Sequence, residues 1–130
     1  MPSHREAALP TGAELDILAV LWRLGPATVR KVHDELSKGR GYTTTMKQMQ
    51  LMTSKGLLMR TERFGAHVYE PAVPKEQTQS QIAGDLLRRA FEGSAKSLLL
   101  GALSAKAASR AELDEIQKMI EEFQKRRRKS

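Results

Sequence analysis

A mainly α-helical fold carrying one small β wing is what this sequence predicts, on three observations. Apolar residues recur at helical spacing in six separate segments. Between the third and fourth of these, Leu58 to Arg63 and Ala66 to Glu70 read instead as two strands around a turn at Phe64-Gly65. Glycine and proline fall where one pattern stops and the next begins, at Gly25-Pro26, Gly39, Gly56, Pro71, Pro74 and Gly93. Three helices followed by a hairpin is the order of a winged helix-turn-helix. The predicted division is a winged-helix domain over residues 1–74 and a helical region over 75–130 that ends in a basic tail.

The elements follow in order. Residues 1–10 read as a frayed arm. Thr11 with Glu14 three residues later is a capping box, so the first helix starts there, with Leu15, Leu18 and Trp22 on its apolar face, Ile17 and Leu21 beside it, and Trp22 in the core. Gly25-Pro26 ends it. Thr28 caps a second helix that buries Val29, Val32 and Leu36 and stops at Gly39. A third helix spans about Thr43 to Lys55. Thr45, Met49 and Met52 share its inner face, and Gly56 suits the left-handed position after its end. Beyond the hairpin, Ile82, Leu86 and Ala90, flanked by Leu87 and Phe91, mark a helix from roughly Lys75 to Glu92. Ser94 caps a shorter one bearing Leu98, Leu99, Leu100 and Leu103. Ser109 with Glu112 is a second capping box, opening a last helix whose Leu113, Ile116, Ile120 and Phe123 form a seam.

Charge is informative mainly through its placement. The 130 residues carry 22 Lys plus Arg and 15 Asp plus Glu, a formal +7. Five of those bases form the run Lys125 to Lys129, so the remainder is close to balanced. A pI near 10.0 is therefore modest support for a polyanionic partner. The absence of cysteine excludes disulfides, thiolate metal sites and Cys nucleophiles. His4, His33 and His67 are widely spaced without carboxylate neighbours at ligand spacing, and no phosphate loop, nucleophile elbow or paired-acid motif occurs. No enzyme, metal or cofactor is expected. With no apolar run of bilayer length, the expectation is a cytoplasmic protein without membrane insertion.

The residues left for function lie on the third helix and around it. With Thr45, Met49 and Met52 turned inward, its opposite face carries Thr43, Met46, Lys47 and Gln50, and Thr44 sits at the helix start. Threonine at a helix start can meet a phosphate, glutamine can grip adenine, and lysine can reach guanine or phosphate. Arg30 and Lys31 on the second helix are candidate phosphate clamps, and Arg60, Arg63 and His67 stand near the hairpin tip. Each has a plainer alternative: Thr43 or Thr44 as a helix cap, Lys47, Gln50, Arg30 and Lys31 as solvated side chains, and the basic tail as a solvated end rather than a DNA arm.

These motifs together resemble the BlaI/MecI/CopY family of bacterial winged-helix repressors. Residues Glu14 to Trp22, Gly25 to His33, Tyr42 to Thr45 with Lys55 to Leu58, and Ala66 to Pro71 resemble the family's winged-helix signatures, and Phe91 to Ala95 with Ser109 to Leu113 its C-terminal pattern. The resemblance covers about residues 9–123. It implies a homodimer whose winged helices bind the half-sites of a palindromic double-stranded DNA operator and whose C-terminal helices form the interface. It also implies a regulatory protease as a partner, since well-known members are inactivated by cleavage in the C-terminal region. Two departures stand out. The copper-responsive branch needs cysteines that are missing here, and Gly101-Ala102 occupies the place of the family's scissile Asn-Phe. Gln48 also sits where many relatives have an apolar residue.

Dimerisation has a physical logic of its own. One small winged helix makes few base contacts, so a linked pair gains specificity from two half-sites at set spacing. The candidate interface is Ile82, Leu86, Phe91, Leu99, Leu103, Leu113, Ile116, Ile120 and Phe123, apolar residues that a 56-residue appendage cannot easily bury alone. The expected function is sequence-specific transcriptional repression. The alternative is a winged-helix protein-interaction module that binds no specific DNA. A nonspecific nucleoid protein would carry a larger basic excess over its folded part.

Overall fold

Six helices and one two-stranded sheet follow in the order α1 (Gly12–Leu24), α2 (Val29–Glu35), α3 (Tyr42–Ser54), β1 (Leu58–Arg63), β2 (Ala66–Pro71), α4 (Lys75–Ala90), α5 (Ala95–Ala105) and α6 (Arg110–Lys129) in the computed structural model, which describes residues 9–36 and 39–129. Most of the expected arm, including His4, lies outside the described residues, as do Ser37 and Lys38 near the expected end of the second helix. The chain divides into two compact units, residues 1–84 and 85–130.

In the first unit, α1, α2 and α3 pack on one another and on the hairpin. Their shared core is Ile17, Leu18, Val20, Leu21, Val29, Val32, Met49, Met52, Leu58 and Tyr69, closed by Ala27. The capping box forms in both directions: the Thr11 amide donates to Glu14 Oε1 at 3.0 Å and the Glu14 amide to Thr11 Oγ1 at 3.2 Å. The buried face of α1 is rotated from the expected one. Glu14, Ile17, Leu18 and Leu21 point inward, whereas Leu15 and Trp22 are only partly buried. Glu14, 2% exposed, belongs to this inward face, and its carboxylate accepts from Lys55 Nζ just past α3.

That pair ties the first helix to the end of the third. Burial pushes the Glu14 carboxyl up, but hydrogen bonds from Lys55 and the Thr11 amide, with the Lys55 charge, outweigh it and hold the group below its ordinary value. A lowered carboxylate contributes stability that is complete above its unfolded value and fades as pH falls through the folded one. Glu14→Gln should therefore destabilise the protein by about 1–3 kcal/mol at neutral pH. In urea unfolding, the gap to the wild type should narrow in acid. A gap that holds or widens there would show that the charge is not what stabilises.

The second helix is shorter than expected. It ends at Glu35 rather than near Gly39, and the Leu36 amide turns back to His33 O at 3.1 Å while the Leu36 side chain packs on the core. The end of α3 matches expectation. Gly56 has φ +86°, and the Gly56 and Leu57 amides donate to Thr53 O and Met52 O, closing the helix with the reciprocal bonds that a left-handed residue permits. The strands pair antiparallel with Arg63 opposite Ala66, so Phe64 and Gly65, both at positive φ, form the two-residue turn. One contact has no signal in the sequence. Ala27 and Tyr69 exchange both amide bonds, at 3.0 and 2.8 Å, pinning the hairpin to the start of α2.

The second unit has little interior of its own. No residue of α5 is buried, and Leu100 (65%) and Phe123 (58%) stay exposed. Ser94 and Ser109 cap α5 and α6 as expected, accepting from the Ser97 and Glu112 amides. The Phe91 ring packs against Gly101 of α5, 3.4 Å from where a Cβ would stand. The basic run is not a detached tail: α6 continues through Lys129, and the Arg126 guanidinium lies 4.8 Å from the Phe123 ring centre.

Candidate nucleic-acid interface

The outer face of α3 is built by exclusion. Thr45, Met49 and Met52 are completely buried, which leaves Thr43, Thr44, Lys47 and Gln50 exposed on the far side and Met46 partly buried at the edge. Three consecutive threonines are poor helix formers, because branching at Cβ restricts their side chains. Packing and local bonds hold them helical instead. The cap residue is Gly41, so neither Thr43 nor Thr44 is the cap, and the first-turn amides receive no side-chain acceptor from it. Thr45 Oγ1 bonds Gly41 O at 3.4 Å and His33 Nδ1 at 2.9 Å, joining α3 to α2 from inside.

Tyr42 makes the second join. Its ring meets His33 edge-on at 5.6 Å between centres and carries the Arg30 guanidinium 4.2 Å above its face. Stacking fixes Arg30 beside the start of α3 and leaves its donors directed outward at the edge of the ring. Lys31 lies next to it, exposed, in the first turn of α2, where Thr28 Oγ1 accepts its amide at 3.2 Å. Arg30, Met46, Gln50, His67, Tyr42 and Ala66 line one open groove of about 260 Å³. The second helix, the third helix and the wing thus contribute predicted residues to a single surface.

The wing divides its bases. Side chains alternate along paired strands, so Arg60 and His67 share the face of Leu58 and Tyr69, and of these two bases His67 lines the groove while Arg60 does not. Arg63 falls on the opposite face with Thr61 and Val68. Glu62 stands directly across from His67, an acid among the bases of the wing. Leu51, absent from the residues expected on this face, is more than half exposed. It lies one turn beyond Lys47 on the outer face of α3, and an apolar residue at i+4 from an exposed lysine was the signal. Around the site, Arg23–Glu35 at 3.1 Å and Arg40–Asp16 at 3.6 Å tie α1 to α2 and to the loop after it.

Among the described residues no group of His, Asp or Glu could hold a metal ion, and no helix is long and apolar enough to cross a membrane. The arrangement offers hydrogen-bond donors, amide ends and a threonine hydroxyl pair, which suits recognition of a polyanion.

Comparison with known proteins points the same way. The family model described as penicillinase repressor matches residues 10–122. The chain is 25% identical over 118 residues to the penicillinase repressor of Bacillus licheniformis, covering 89% of this chain and 92% of that one. It is 31% identical over 90 residues to the transcriptional regulator BlaI of Mycobacterium tuberculosis, covering 67% of this chain and 65% of that regulator.

Proposed function

Because the chain belongs to the penicillinase repressor family, a family of transcriptional regulators and not of enzymes, we propose that it is a cytoplasmic, sequence-specific repressor that binds a palindromic operator as a homodimer. One observation carries the proposal most. The same packing that hides Thr45, Met49 and Met52 presents Thr43, Thr44, Lys47 and Gln50 on a free face, flanked by Arg30 and Lys31 on one side and the wing on the other.

In this reading α3 enters the major groove, with Thr43 and Thr44 near phosphate at its amino end and Lys47, Gln50 and Leu51 at base edges. Leu51 suits a thymine methyl. Arg30, held on Tyr42, and Lys31 grip the backbone, while Arg60, Arg63 and His67 brace it from the wing. Two such heads reach half-sites about 34–36 Å apart if they read successive turns of one duplex face. The second unit joins the heads, through Ile82, Leu86, Phe91, Leu99, Leu103, Leu113, Ile116, Ile120 and Phe123. Relief of repression by a regulatory protease belongs to the same reading.

Base contacts and phosphate contacts make different marks in binding data. Lys47→Ala and Gln50→Ala should each lower discrimination between selected and scrambled duplexes by about 1–3 kcal/mol, with little change on scrambled DNA. Equal losses on both would remove them from base reading. Arg63→Ala should weaken binding to every duplex and reduce the slope of log affinity against log salt by about 0.9. An unaltered slope would mean that Arg63 meets no phosphate.

A further inference from the structure

The wing tip carries a residue that neither the fold nor the binding surface described above explains. Phe64 is fully exposed (105%) and occupies the first central position of the hairpin turn at φ +50°. Isolated apolar residues on a surface are ordinary. A bulky aromatic held at positive φ is not, since that backbone region suits glycine, asparagine or aspartate. Asparagine would fit both the turn and the water. Phe64 therefore sets an exposed ring and an unfavoured backbone at one position, the tip of the hairpin.

What surrounds the tip identifies its partner. Arg60 and Arg63 precede Phe64 and His67 follows it within the same short hairpin, with Glu62 the one acid among them, and Ala66, two residues on, lines the groove shared with Met46 and Gln50 of α3. An apolar ring set among bases beside a DNA-reading helix matches the wedge by which side chains enter the minor groove and part a base step. Building on the function proposed above, we propose that Phe64 inserts into the minor groove flanking each half-site and partly unstacks one step. Flexible pyrimidine–purine steps such as TA yield most easily, so the wing would add a sequence preference outside the positions that α3 touches.

The test uses the full-length chain, a duplex selected by it from a random library, and versions of that duplex with TA or AA at the flanking step and 2-aminopurine beside it. Wild-type protein should favour TA and raise the 2-aminopurine fluorescence. Phe64→Asn should keep or raise the melting temperature and select the same inner motif, yet bind about tenfold more weakly, with neither the TA preference nor the fluorescence rise. Phe64→Leu, which keeps an apolar wedge, should restore part of each. If Phe64→Asn binds the selected duplex like the wild type, with the same flanking preference, the wedge is overturned while the function proposed above stands. If the wild type selects no motif, both fall together.

Discussion

Leu113→Asp combined with Ile120→Asp should yield monomers in sedimentation and lower affinity for a two-site operator by about 10²–10⁴-fold, while affinity for a single half-site changes little. Both side chains are more than two-fifths exposed on α6, in the seam that also holds Ile116 and Phe123. A helix with so wide an apolar stripe gains stability only by covering it. In the second unit, α5 and α6 leave an apolar groove of about 310 Å³ between Leu99, Leu103 and Ile116, so their own packing does not close over it. Two buried carboxylates would cost several kcal/mol in a closed interface and almost nothing in water. The double substitution therefore acts on association and not on either head. Dimers that persist would place the interface on another face.

The second large effect concerns the position of α3. Met49→Ala should cost about 2–5 kcal/mol in urea unfolding, out of a total near 5–15. Met49 is completely buried in the core that α1, α2, α3 and the hairpin share, so shortening its side chain leaves a cavity there. Because Met49 sits one residue from Gln48 and Gln50, the variant should also loosen the outer face and weaken operator binding at temperatures where it is still folded. A loss of binding without a loss of stability would imply that Met49 meets DNA itself. That outcome would reverse the inside and outside of α3.

How far the sequence carried these conclusions depends on distance along the chain. Thr11 with Glu14, Gly56, the Phe64-Gly65 turn and the Thr45, Met49 and Met52 face all lie within one or two turns of their partners, and residue type alone specified them. Contacts between distant segments left no comparable trace. Glu14 and Lys55 are 41 positions apart, and nothing in either neighbourhood signalled that a capping carboxylate also receives an ion-pair donor. The Ala27–Tyr69 exchange uses backbone groups that every residue possesses. Arg30 was legible as a base but not as one stacked on Tyr42, and the exposure of Leu51 on the outer face of α3 was not legible from its apolar type. At Leu36 a local rule gave way to packing: the helix stops early so that the side chain can turn onto the core.

The most direct test titrates the full-length chain, at low and at moderate salt, against a duplex it has selected and against a scrambled duplex of equal length. Reading by α3 predicts that the selected duplex binds at least about 10³-fold more tightly, with that ratio surviving the rise in salt while both affinities fall. A ratio near one, with the two curves falling together, would contradict the account.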